Sequence, residues 1–319
     1  MNRRDFVRLN ALALAGATQG WRSVPVSAME GKFAPAIACR DGHLRETGQS
    51  DAWSAMKAIG VTGVEVNVNQ ALRCVSLFHP QKQYAVDTED HRKELLDDLA
   101  ANGLHICAFM MGNRFEERPD EEKEWGGRTV AAAEAMGVKT IRIDVAPRRL
   151  QADEFEPFAI EMCKQICALV KDRPVRFGIE NHGNMTNRPE FLEALFNGVG
   201  SESLGLTMDT ANFYWFGHPL DRLYSIYEKF VPRVFHTHCK NIRYPDDKKN
   251  VERPIGWEYE KYNCPLYEGD IDFQRVVSIL QKANYGGDLC IEDESLGKAL
   301  KGDREGILKN EASYLKKMI

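Results

Sequence analysis

The sequence predicts an α/β protein, a closed eight-stranded (β/α)8 barrel, on three observations. From Lys32 onward, short apolar or β-branched runs alternate with longer stretches of helical period, the mark of βα units on a parallel sheet. Eight such units can be counted. They fill about 290 of the 319 residues, near the usual size of such a barrel. The competing arrangement, a doubly wound open sheet, would carry a glycine-rich phosphate loop after its first strand, and Cys39-Arg40-Asp41-Gly42-His43 is not one.

Taken in order, the predicted strands are Phe33 to Cys39, Gly63 to Val68, Leu104 to Met110, Lys139 to Asp144, Val175 to Asn181, Leu204 to Asp209, Arg233 to His238 and Asp288 to Glu292. Gly60, Gly103, Gly137, Pro174, Pro232 and Gly287 stop the helices that precede them. Between strands the helical period is plain. Phe155, Phe158, Ala159, Met162, Cys163, Ile166, Cys167 and Val170 recur on one face behind Asp153, read as that helix's N-cap. Asp87 or Thr88 caps a helix through Leu95, Leu96 and Leu99, and Ile307, Leu308, Ala312 and Leu315 mark the last one. Two connections are long: 69–86 after the second strand, and 241–269, rich in aromatics, after the seventh. Loops of that length are usually functional, and both fall at the C-terminal face where barrel enzymes keep their sites.

The N-terminus reads differently. Arg3 and Arg4 precede a mildly apolar run to Ala17, and Val26-Ser27-Ala28 offers small residues for cleavage, so residues 1–28 resemble a twin-arginine export signal and 29–319 form the barrel domain. This predicts a periplasmic or extracellular protein without a membrane span, since no apolar run reaches about 18 residues. The net charge of −5 over the full chain becomes −8 without residues 1–28, with 38 basic and 46 acidic residues left. That balance speaks against nucleic acid, whose binding depends on phosphate neutralisation. The eight cysteines match no CxxC spacing and are expected as buried free thiols, with Cys74 and Cys264 the one plausible exposed pair.

The chemistry concentrates in the second half. Strands five to eight end in Ile179-Glu180-Asn181-His182, Met208-Asp209-Thr210, His236-Thr237-His238 and Ile291-Glu292-Asp293-Glu294. One such acid could be a solvated rim residue. Four strand ends in register, each after an apolar run, are costly to bury unpaired, and a divalent cation removes that cost. Three carboxylates and an imidazole favour Mn²⁺ first, with Mg²⁺, Co²⁺ or Zn²⁺ as alternatives. Strand alternation puts His236 and His238 on one side, as it does Glu180 with His182 and Glu292 with Glu294. His238, nearer the mouth, is taken as the ligand and His236 as a deeper histidine. Arg142 and Asp144 are expected to pair with each other.

These segments resemble the xylose isomerase-like TIM barrel superfamily, the sugar isomerase/epimerase group that includes tagatose 3-epimerase, hydroxypyruvate isomerase and inosose dehydratase relatives. GIENHG, LTMDTANF, FHTHCKN and CIEDE resemble its four metal-bearing strand ends, EGDIDF the turn into its seventh helix, and AAAEAMGVKTIRI the helix entering its fourth strand. The resemblance implies Glu180, Asp209, His238 and Glu292 as metal ligands, with Glu180 and Glu292 also the acid/base pair. It implies an isomerase or epimerase of a non-phosphorylated sugar or keto acid, working by proton abstraction α to a carbonyl. Asn212 stands where several epimerases of the group carry a histidine. His182, Asn212, Trp215, Lys240, Arg243 and Trp257 are the candidate substrate contacts. The competing readings are a dehydratase using the same site, a DNA-binding endonuclease of the same fold, and a non-catalytic carbohydrate-binding barrel. A homo-oligomer is compatible with all of them.

Overall fold

The computed structural model describes residues 33–319, which form one closed parallel barrel wrapped by helices. The expected export signal lies outside these residues. The barrel strands are β1 (Ile37–Arg40), β2 (Gly63–Asn67), β3 (His105–Met110), β4 (Thr140–Ile143), β5 (Arg176–Glu180), β6 (Leu204–Asp209), β7 (Val234–Cys239) and β8 (Leu289–Ile291). Each pairs in parallel with its sequence neighbours, and β1 closes on β8. The predicted order holds throughout. Strand starts slip where the backbone has no partner: β1 begins at Ile37, after Pro35, which has no N–H to donate.

Caps place the helices. Thr88 accepts from the His91 amide at 3.2 Å and starts helix Glu89–Asn102, a contact worth about 1 kcal/mol. Gly103, at a φ of 68°, ends that helix in the left-handed conformation a side chain resists. Helix Ala152–Ala168 is capped by Gln151 and not by Asp153. The Glu154 carboxylate reaches back to the Gln151 amide at 3.2 Å, which leaves Asp153 inside the first turn. Asp272, from EGDIDF, accepts from the amides of Gln274 and Arg275 and opens helix Phe273–Lys282 as expected.

The apolar core is the layer between strands and helices. Val64, Val66, Ile141, Ile143, Phe177, Ile179, Leu206, Met208 and Ile291 belong to it, with helix residues such as Phe155, Phe191, Phe196, Phe273 and Leu308. The alternate strand positions face the barrel interior, and many are polar: Glu65, Arg142, Glu180, Thr207, Asp209, His236 and His238 are all buried. Ladders β2–β3 and β6–β7 each carry one bulge. Val64 pairs with Ile106 and Glu65 with Ala108, so Cys107 is extra on β3. Leu206 pairs with Val234 and Thr207 with His236, so Phe235 is extra on β7.

Both long connections are packed. The loop after β2 pairs with itself at Val68–Cys74 and Arg73–Ala85, and the loop after β7 forms a two-stranded ribbon, Asn241–Ile242 with Asn263–Cys264. All eight cysteines are free, but Cys74 is buried because its loop folds over it, so the exposed Cys74–Cys264 pair does not form. No described helix is long and apolar enough to cross a membrane.

Candidate metal centre and acid/base site

Glu180 at the end of β5, Asp209 at the end of β6, His238 on β7 and Glu292 just past β8 converge at the C-terminal mouth. One ligand atom from each lies within 4.8 Å of all the others, and all four residues are buried. Register explains the meeting, since Asp209 and Cys290 both stand level with His238. Asp209 is aimed by its own backbone. Its Oδ1 accepts from the amides of Ala211 and Asn212 at 2.8 Å each, while Asn181 brackets the Asp209 peptide through both ends of its amide. Oδ2 is thereby turned to the centre.

Each glutamate has one oxygen held by an arginine and the other facing inward. Arg142 grips Glu180 Oε2 through Nε at 2.6 Å and through Nη2, leaving Oε1 3.4 Å from His238 Nδ1. Arg40 holds Glu292 Oε1, leaving Oε2 3.0 Å from the same Nδ1. Burial would raise both carboxyls, but Arg142 and His238 hold Glu180 well below the usual range, as Arg40, Lys240 and His238 do for Glu292. Burial, with Glu292 and Glu180 adding to it, pushes Asp209 up to about 7 against Lys240, 3.0 Å from Oδ2, and His238.

The expected Arg142–Asp144 pair is thus replaced. Both side chains lie on one side of β4, but Arg142 is long enough to reach the neighbouring strand, while Asp144 faces His182 Nδ1 at 3.4 Å. Two contributors escaped the sequence reading. Arg40 directly follows the first strand's apolar run, and Glu65 is a lone acid between Val64 and Val66. Crossing the barrel from β2, Glu65 accepts from His238 Nε2 at 2.9 and 3.1 Å and meets Arg40 Nε at 3.1 Å. A charge inside an otherwise apolar strand was the available signal. By occupying Nε2, Glu65 fixes the tautomer in which Nδ1 presents a lone pair to the cluster.

This donor set fits a divalent cation. Asp209 Oδ2, His238 Nδ1 and Glu292 Oε2 are buried and make no hydrogen bond of acceptable geometry, although charged neighbours lie close. Three orphaned lone-pair atoms pointing at one spot are what a hard, oxygen-preferring cation would bind.

The remaining predicted residues divide. Asn212 Nδ2 reaches Glu180 Oε1 at 3.3 Å, and Lys240 Nζ lies among Asp209, Glu292 and Glu294. His182 stands half-exposed at the rim. Trp257 and Arg243 belong to the loop after β7, while Trp215 lies in the short helix Asn212–Phe216 after β6. Trp215 packs against Gly256, whose φ of 69° and close approach suit glycine. Trp257 stacks on Tyr262 at 5.6 Å, and Arg243 is exposed beside a separate surface cavity of about 590 Å³.

Residues 53–318 match the family described as xylose isomerase-like TIM barrel. The chain belongs to that family. It is 28% identical over 240 residues to the inosose dehydratase of Clostridium perfringens, covering 66% of this chain and 75% of that one. Its fold is similar to a structure titled IOLI protein with a binding zinc atom, at 16% identity and a TM-score of 0.62 over 89% of this chain and 99% of that one. It is also similar to a xylose isomerase-like TIM barrel protein of Mycobacterium smegmatis in complex with magnesium, at 16% identity and a TM-score of 0.60 with the same coverage.

Proposed function

We propose that this family member is a divalent-metal-dependent enzyme that moves a proton α to the carbonyl of a non-phosphorylated keto sugar or keto acid, as an isomerase or epimerase. The observation that carries the reading is the pair of arginine-clamped glutamates meeting Asp209 and His238 where three buried donor atoms, one of them Glu292 Oε2, lack a hydrogen-bond partner. Glu180, Asp209, His238 and Glu292 would hold the cation, with Mn²⁺ our first choice. Bound there, it would polarise the substrate carbonyl and stabilise negative charge on its oxygen.

The chain's own groups supply the rest. Glu180 and Glu292 each turn one oxygen inward, where it can accept a carbon-bound proton and return it. Four carboxylates, Glu65, Glu180, Asp209 and Glu292, face three fixed cations, Arg40, Arg142 and Lys240. A divalent ion bound among them would add positive charge beside a substrate gaining negative charge. Asn212 and Lys240 lie deep enough to touch substrate oxygens, and His182 closes the rim.

A dehydratase is the second reading, supported by the likeness to inosose dehydratase. The test is a panel of ketoses, keto acids and inososes incubated in D₂O with the metal-loaded protein. Deuterium at the α carbon with unchanged composition marks isomerisation, and loss of water marks dehydration. Glu180→Gln and Glu292→Gln should each cost roughly 10²–10⁴-fold with metal content retained. Full activity in both variants would refute the assignment.

A further inference from the structure

The inside of an eight-stranded barrel is ordinarily filled with branched aliphatic side chains. One layer below the carboxylate cluster, Cys107 of β3, His236 of β7 and Cys290 of β8 meet instead. Their two sulfurs and one imidazole nitrogen lie within 4.8 Å of one another. Both thiols are free, and Cys290 and His236 are buried. Neither the acid/base pair nor the carboxylate cluster uses them.

The backbone is irregular at two of the three. Cys107 is itself the extra residue of the β3 bulge, and Phe235, extra on β7, immediately precedes His236. Bulges change which way the following side chain points and recur next to functional sites. His236 is buried, and its Nε2 faces Glu65 Oε1 at 3.4 Å, which leaves Nδ1 as the nitrogen available to a metal. A carboxylate on the far nitrogen of an imidazole is the usual support for a metal-binding histidine.

We propose that Cys107, His236 and Cys290 form a second cation site, one that prefers thiolate ligands and takes Zn²⁺. With Zn–S near 2.3 Å and Zn–N near 2.0 Å, ligand atoms of a tetrahedral zinc lie on the order of 3.5 Å apart. On binding, each S–H bond breaks, two Zn–S bonds and one Zn–N bond form, and two protons leave to solvent, with no change of oxidation state. Two thiolates cancel the charge of the ion, so the assembly is neutral and suits a buried position. This site stands independently of the reaction proposed above.

The test uses the full chain, stripped by chelator under reducing conditions and titrated first with Co²⁺, then with Zn²⁺. We expect two equivalents of zinc per chain and a sulfur-to-cobalt charge-transfer band. Cys107→Ser and Cys290→Ser should each abolish the band and one equivalent, while Asp209→Asn should lose the other equivalent and keep the band. Cys163→Ser, a buried thiol on helix Ala152–Ala168, should change neither. If Cys290→Ser fails to fold, Cys107→Ser at the bulge decides alone. A single equivalent without the band, or a band that survives Cys107→Ser, would overturn the site.

Discussion

Replacing Glu65 tests whether the carboxylate cluster is tuned from across the barrel. Glu65 accepts from His238 Nε2 at 2.9 Å and is surrounded by His236, His238 and Arg40. Burial would raise its carboxyl, but His238 and His236 hold it well below the usual range, so it is an anion. Glu65→Gln keeps the volume and can keep one acceptor, but removes the charge that makes His238 a better donor to a metal. Outer partners of metal-bound histidines typically contribute 10–100-fold in affinity. The glutamine should therefore cost roughly tenfold, or about 1.4 kcal/mol, and Glu65→Ala, which also frees the tautomer, nearer a hundredfold. The assay is competition against a fluorescent chelator with Mn²⁺ or Mg²⁺, which a thiolate site would not take, beside circular dichroism to confirm the fold. Unchanged affinity in both variants, with the fold intact, would show that His238 needs no orientation from Glu65.

Other expectations follow from contacts already described. Arg142→Met strands the buried Glu180 carboxylate and should cost about 3 kcal/mol in chemical denaturation of the metal-free chain, less with the cation bound; an equal loss in both states would refute the pairing. Glu311 is buried with Oε2 unpartnered, and burial raises its carboxyl well above 4.5. The folded chain holds that proton longer than the unfolded one, so Glu311's contribution to stability is fully present below about pH 4.5 and is lost as pH rises towards the folded value. Glu311→Gln removes the dependence, and urea midpoints at acid and neutral pH should therefore diverge between variant and parent, with the parent weaker at neutral pH. Trp257→Ala removes the stack on Tyr262 and should open the 241–269 loop to limited proteolysis; loss of substrate affinity without new cleavage would make Trp257 a sugar platform. Replacing Arg3 and Arg4 by lysine should retain the chain in the cytoplasm, and unchanged fractionation would refute the export reading.

The barrel was legible because local signals repeat. Gly60, Gly103 and Gly137 each end a helix in the left-handed conformation, and an apolar run follows each within a few residues. The four converging strand ends were legible for the same reason. What the pattern does not carry is reach and phase. Alternation says that Arg142 and Asp144 share a side, but not that an arginine spans to the next strand. Nothing in Phe235 or Cys107 announces that the ladder skips a residue there, because a bulge is decided by how two strands twist against each other. Glu65 and Arg40 were missed as partners because their contacts cross between the first and second strands and the last two, far apart in the chain.

The arginine clamps also bear on the order in which this protein is made. A nest of acids with no cations of its own would repel itself until a metal arrived, and folding would wait on supply. Here Arg40, Arg142 and Lys240 come with the chain and neutralise most of that repulsion, so the barrel can close first and be loaded afterwards. Loading of the proposed cation would then be a late step, set by whichever divalent ion the finished barrel meets.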